Sequence, residues 1–146
     1  MMQITFRNMR EGDKACVMEM MRAFYTSPAV STNGSEEIFA KDIDNCIGES
    51  PYVEGYVFES PEGILGYAML ARSYSTEFGK PCIWIEDLYI RKEYRGQGIG
   101  RRFFEFVTEK YTDCLFRLEV ESENEQAVAL YESCGFTYLP YKEMKK

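Results

Sequence analysis

The apolar positions of this chain follow two periods, and the changes from one to the other mark its elements. Ile4 and Phe6 alternate with polar neighbours in QITFRN, the two-residue period of a strand. Val17, Met20, Met21 and Phe24 then recur at i, i+3, i+4 and i+7, which predicts a helix with one apolar face. Asp13 stands where that helix's N-cap is expected. Pro28 and the run Ser31-Thr32-Asn33-Gly34 mark a loop. Ser35 ahead of Glu36 and Glu37 reads as a second N-cap with acids in the first turn. Phe39, Ile43, Cys46 and Ile47 give this helix its stripe, and Gly48 to Pro51 end it.

Three strand-like runs follow. Residues 52–59 turn at 60–63, where Pro61 and Gly63 are good hairpin punctuation, into 64–72. After a loop at 73–81 comes CIWIEDLYI, 82–90, the most strand-like segment of the chain. Ile99, Phe103, Phe106, Val107 and Tyr111 then recur at helical spacing, CLFRLEV (114–120) reads as a strand, and 123–133 as a helix with Ala127, Leu130, Tyr131 and Cys134 on one face. GFTYLPYKEM is expected to close the chain with one strand or two. The order is βααβββαβαβ. Three consecutive strands in the middle predict an α/β fold with a mixed, mostly antiparallel sheet and helices on both faces, not a doubly wound parallel one.

Composition narrows what such a fold could do. A chain of 146 residues with 45% hydrophobic content is expected to form a single domain over 1–146. Lys plus Arg total 17 against 24 Asp plus Glu, a net charge of −7, which argues against nucleic acid as a partner and weakly favours a cationic one. The chain has no histidine, so a Ser-His-Asp triad, a Cys-His pair and a His-ligated metal are excluded. Cys16, Cys46, Cys82, Cys114 and Cys134 are odd in number and form no C-x-x-C pair. No metal site and no disulfide framework is expected, and each cysteine reads as a small buried apolar residue in a reducing, cytoplasmic setting. The first residues lack the apolar core of a signal peptide, and no run approaches the ~20 apolar residues of a membrane span, so no membrane partner is expected.

The strongest chemical signal is RKEYRGQGIGRRFFEF, which puts Gly96, Gly98 and Gly100 between a strand and a helix. Glycines there leave successive backbone N–H groups uncovered at a helix N-terminus, where the partial positive charge favours phosphate. Arg95 and Arg101 offer supplementary charge. The alternative is a tight turn with no ligand. A dinucleotide fingerprint needs glycine at position 101, which is Arg, and a Walker A loop needs Gly-Lys-Ser/Thr where this chain has Gly100-Arg101-Arg102. Both nucleotide readings fail on spacing.

The segment Arg95-Gly96-Gln97-Gly98-Ile99-Gly100 instead resembles the acyl-CoA motif of the GNAT superfamily of N-acyltransferases, R/Q-x-x-G-x-G/A. Downstream, Asn124, Ala127, Tyr131, Gly135 and Phe136 match that family's N-x-x-A-x-x-x-Y-x-x-x-G-F pattern. The motif resemblance covers 82–138, and the element order extends it to the whole chain. It implies a GNAT-type fold with acetyl-CoA as co-substrate and no metal. It further implies that Arg95, Gly96, Gln97, Gly98, Ile99, Gly100 and Arg101 hold the pyrophosphate, that the backbone of Leu88, Tyr89 and Ile90 pairs with the pantetheine arm, and that Asn124 bonds the pantetheine region. Tyr131 is implied near the sulfur as general acid or hydrogen-bond donor, and Glu86 as general base, directly or through water. From the residues alone, Tyr131 could equally be a core aromatic, Asn124 a helix-terminal polar residue, and Glu86 the anchor of a cationic substrate.

Acyl transfer from a thioester to an amine needs a proton acceptor, a polarised carbonyl and aligned reactants, but no nucleophilic side chain when the amine attacks directly. A histidine-free chain suits it. On CIWIEDLYI a two-residue period puts Cys82, Trp84, Glu86, Leu88 and Ile90 on one face and Ile83, Ile85, Asp87 and Tyr89 on the other, until any bulge. A carboxylate on a central strand is costly and needs a task or a partner. Asp87 is the second candidate for the base, with a structural role in loop geometry as its main reading. Trp84, Tyr52 and Tyr56 are candidates for the acceptor wall, with core packing preferred. Tyr74-Ser75-Thr76 ahead of IEDLYI resembles diamine and polyamine N-acetyltransferases. The expected function is therefore acetyl transfer from acetyl-CoA to a primary amine, a small polycationic one in particular, with a homodimer as the expected assembly. The alternatives are a peptide or protein amine as acceptor, or a non-catalytic CoA-binding regulator.

Overall fold

The structure is a computed structural model and describes residues 2–146. Its elements are β1 (Thr5–Asn8), α1 (Lys14–Tyr25), α2 (Glu36–Ile47), β2 (Val53–Ser60), β3 (Gly63–Ser75), β4 (Lys80–Ile90), α3 (Ile99–Lys110), β5 (Leu115–Leu118) and α4 (Glu125–Ser133). Short 3-10 turns at Glu11–Asp13 and Lys92–Tyr94 lead into α1 and towards α3. The five strands form one sheet in the order β1-β2-β3-β4-β5. Neighbours are antiparallel except β4 and β5, which are parallel because α3 carries the chain back across the sheet.

The two-residue alternation of β2 and β3 sorts their side chains onto two cores. Val57, Tyr67 and Met69 meet Val17, Met20 and Met21 of α1 and Phe39 and Ile43 of α2. On the opposite face, Tyr56, Phe58 and Leu70 join Ile83 and Ile85 of β4 beneath Phe103, Phe104 and Val107 of α3. The mixed sheet with helices on both faces is as expected. Ser35 caps α2, its Oγ accepting from the N–H of Ile38. Tyr56 belongs to the core, as preferred, with its hydroxyl donating to Glu54.

Three local expectations are corrected. The loop expected over 73–81 shrinks to a turn at 76–79, because β3 runs on to Ser75 and β4 begins at Lys80. Gly79 makes this possible with a φ of +67° and an N–H that donates to Ser75 O. Asp13 occupies the N-cap position of α1, but its carboxylate binds the Arg7 guanidinium at 2.8 and 3.0 Å and the Arg10 N–H rather than α1 itself. It thereby ties β1 to the start of the helix. The closing strand expected over 135–144 is not formed: among the described residues no strand follows α4. Pro140 has no N–H to donate, Tyr138, Leu139 and Tyr141 are exposed, and β5 is only four residues long.

Gly66 of β3 has no room for a side chain. A Cβ there would collide with the carbonyl oxygen of Tyr89 and lie 2.9 Å from the Phe58 ring. Gly66→Ala is expected to cost about 1–3 kcal/mol in urea unfolding, whereas Gly12→Ala, with open space around it, should change stability by less than about 0.5 kcal/mol.

Candidate active site

Pairing between β4 and β5 ends at Ile85 and Leu118, while β4 continues to Ile90. From Glu86 onward its outer edge is therefore free of β5. Arg91 N–H donates to Leu65 O, which sets the ladder phase against β3. By alternation, Leu88 and Ile90 turn their backbone groups outward into the gap, and Tyr89 turns its own towards Tyr67. Of the three residues expected to meet the pantetheine arm, two thus present backbone to the gap. The carbonyl of Ile90 already accepts from Arg95 Nε at 2.7 Å, which leaves its N–H.

The glycine turn lies directly beyond this edge. Gly96 and Gly98 adopt φ of +76° and +79°, and nothing stands within 4 Å of where their side chains would project. The first N–H bonded within α3 is that of Arg102, to Gly98 O. The N–H groups of Ile99, Gly100 and Arg101 therefore lack helical partners and face the turn. This open, donor-rich helix start fits a pyrophosphate. The expected residues divide by role, however. Ile99 is buried in the core. Gly100 lets α3 pack on α4, since a Cβ would lie 2.8 Å from Leu130 Cδ2. Arg101 binds Ser133 Oγ at 2.7 Å, and Arg95 lies over the Tyr89 ring.

A β-bulge decides the faces of β4. Met69 pairs with Asp87 and Leu70 with Ile85, so Glu86 is the extra residue. The alternation expected for CIWIEDLYI therefore breaks there: Leu88 and Ile90 join Ile83 and Ile85 on the α3 face, and Asp87 follows Trp84 onto the other. Glu86 and Asp87 line a cleft of about 370 Å³ together with Tyr25, Asp42, Cys46, Tyr52 and Met69, and no Lys or Arg lines it. Partial desolvation, with Glu143 and Asp42 nearby, raises the pKa of Glu86. Burial likewise raises that of Asp42. Asp87 is 3% exposed and accepts hydrogen bonds from the hydroxyls of Tyr25 (2.9 Å) and Tyr67 (2.8 Å). Burial lifts its pKa from 3.8 to about 6, against the pull of the two tyrosines. It sits in a strand rather than shaping a loop.

Tyr131 lies on α4, its ring edge-on to Phe104 and Phe136. It lines a second, larger cleft of about 950 Å³ with Trp84, Leu118 and Phe136. Burial pushes its hydroxyl up to about 12. Glu86 and Tyr131 thus belong to different cavities, but Glu143 of the larger one acts on Glu86. Asn124 caps α4, its Oδ1 accepting from Ala127 N–H at 3.3 Å. Trp84 stacks on Arg117 at 4.6 Å instead of walling the smaller cleft, whereas Tyr52 does line it. The cysteines are free, with Cys82 buried and the others partly so.

Tyr25, Tyr67 and Asp42 are additions that the sequence reading did not contain. Asp42 had a signal: it lies three residues after Phe39 and four before Cys46, a charge inside the apolar stripe of α2. The hydroxyls of Tyr25 and Tyr67 had none, because their partner is remote in sequence.

A sequence profile of the acetyltransferase (GNAT) family matches residues 17–136. The chain belongs to this family. A thialysine N-epsilon-acetyltransferase of Sus scrofa is 34% identical to this GNAT protein over 148 residues, covering 92% of this chain and 85% of the relative. A probable spermine N(1)-acetyltransferase of Bacillus subtilis subsp. natto (strain BEST195) is 22% identical, covering 94% and 90%. Among solved structures, the aminoglycoside N-acetyltransferase AAC(6')-Iy in complex with CoA superposes with a TM-score of 0.79 at 10% identity, covering 100% of this chain and 95% of that one, and so shares its fold. The GNAT protein described here is an N-acetyltransferase, as expected, in a family that uses acetyl-CoA. Among the described residues no helix is long and apolar enough to cross a membrane.

Asp87 gives this enzyme an unusual pH signature. Its folded pKa lies above its unfolded one, so between about pH 4 and about pH 6 the folded state keeps a proton that the unfolded state releases. Its contribution to stability therefore grows as pH falls through that window. In thermal melts, wild type should gain on Asp87→Asn between about pH 7 and about pH 4; a constant Tm difference would contradict the assignment.

Proposed function

We propose that this enzyme transfers the acetyl group of acetyl-CoA, by direct attack, to the primary amine of a small acceptor that carries more than one amino group. The observation that carries this reading is the smaller cleft: Asp42, Glu86 and Asp87 border it, and no basic residue does. A cationic acceptor supplies the missing countercharge. The relatives' names agree, since thialysine and spermine each bear more than one amino group.

Bound acetyl-CoA would supply an activated acetyl thioester. The turn from Gly96 to Arg101 holds its phosphates with backbone N–H groups, and the outward N–H groups of Leu88 and Ile90 align the arm and its carbonyl oxygen. Glu86 takes a proton from the incoming ammonium, directly or through water, and so exposes the nitrogen lone pair. A raised pKa suits a base that must hold a proton during turnover. Tyr131, with its pKa at about 12, remains protonated and donates to the departing sulfur. The second proton lost by nitrogen restores it, so that the transfer releases one proton overall.

The reading is tested by acetyl-CoA turnover with free-thiol detection against thialysine, lysine, putrescine, spermidine, spermine, an aminoglycoside and short peptides. A preference for the peptides would point to a protein amine instead. With an efficient acceptor, Glu86→Gln is expected to lower the neutral-pH rate by about 10²–10⁴-fold, recovering in part at high pH where the amine deprotonates unaided. A loss confined to the acceptor KM, without recovery, would make Glu86 an anchor and not a base. Tyr131→Phe should lower kcat while CoA affinity holds, because it deletes a proton and little area. An unchanged kcat would reduce Tyr131 to packing.

A further inference from the structure

The bulge in β4 has to be held in place. Without it, regular alternation would turn Glu86 to the face of Trp84 and drive Asp87 to the face of Ile85 and Leu70, into the apolar core around Phe103. With it, Asp87 lies opposite Met69 on the α1–α2 side, beside Glu86 in the lining of the acceptor cleft. Asp87 meets the hydroxyls of Tyr25 and Tyr67 only in this arrangement. Tyr67 comes from β3 and is fully buried. Tyr25 is the last residue of α1, and its ring is wedged against Phe24 and Phe39. It also lines the acceptor cleft. The bond from Tyr25 to Asp87 therefore joins the wall of that cleft to the strand that bears Glu86, one residue away from it.

We propose that Tyr25 is a positioning residue for Glu86: through Asp87, its hydroxyl fixes the β4 bulge where it aims the Glu86 carboxylate at the acceptor amine. Tyr67 holds the same carboxylate from the other side and shares the task. The proposal rests on the reading of Glu86 as the base. Tyr25→Phe keeps the ring and its packing and removes only its bond to Asp87.

The experiment is a double-mutant cycle of Tyr25→Phe with Glu86→Gln, assayed with acetyl-CoA and the best acceptor of the amine panel, with rates taken per CoA-binding site. Tyr25→Phe alone should lower kcat by about 10- to 100-fold and leave the KM for acetyl-CoA unchanged. In the Glu86→Gln background the same substitution should add no further loss, because the group it positions is already gone. A purely structural role for Tyr25 would lower Tm without this non-additivity. Tyr67→Phe is expected to repeat the pattern, and it carries the test if Tyr25→Phe does not fold. Equal losses in both backgrounds would overturn the proposal. So would normal kcat in both tyrosine variants beside an impaired Glu86→Gln enzyme, and that result would leave the base intact. A fully active Glu86→Gln enzyme would remove base and positioner together.

Discussion

Much in this molecule follows from how short the ladder between β4 and β5 is. A parallel strand is delivered by its crossover helix, and here α3 returns the chain so that β5 pairs only with Cys82–Ile85. The rest of β4 then has a partner on one side alone. A protein normally covers or blunts such an edge. Here the exposed edge leads towards the glycine turn, and the two offer an interrupted line of backbone donors, Leu88 and Ile90 on the strand and then Ile99, Gly100 and Arg101 at the start of α3. An extended ligand arm with an anionic end fits that line by the same hydrogen bonding that would seat another strand.

The acidic residues beside this edge stand under mutual strain. Asp42, Glu86 and Asp87 border one cleft, and Glu119 and Glu143 line the next. Glu119 is pushed to about 7, chiefly by its hydrogen bond with Glu143, together with burial and the charges of Glu143 and Glu86. Several cations are engaged elsewhere, Arg7 with Asp13 and Glu59, Arg22 with Glu36 and Arg91 with Glu19, while Arg117 and Lys142 line the larger cleft. In the smaller cleft, like charges gathered without countercharge lower the stability of the free protein and favour whatever cation enters. The tyrosines around Asp87 limit that cost by hydrogen bonding, which satisfies the carboxylate without neutralising it.

What the sequence made legible was what is local. The stripes of α1 to α3 and the cap at Ser35 depend on neighbours within a turn or two, and so does the left-handed backbone at Gly96 and Gly98. The bulge at Glu86 was not legible, because it arises from a mismatch of register with β3, some twenty residues away. Its effect was large: it exchanged the faces of every β4 residue after it. The partners of the Asp13 carboxylate were hidden for a similar reason: it stands at the N-cap as expected, but Arg7 and the Arg10 N–H take its oxygens in place of the helix it precedes. The expected closing strand failed because pairing needs an edge as well as a strand-like run, and β5 offers little. Among the site residues, the glycine turn, Leu88 and Ile90 were found together, while Glu86 and Tyr131 came to lie in neighbouring cavities.

The contact between Gly100 and Leu130 has a mechanical side. With only a hydrogen at position 100, α3 and α4 touch along a seam, and Arg101 bolts the same seam further along by gripping Ser133. The glycine turn and the helix that carries Tyr131 are therefore tied together at two points. Under the function proposed above, the remote end of a long co-substrate thereby has leverage over the place where its sulfur departs.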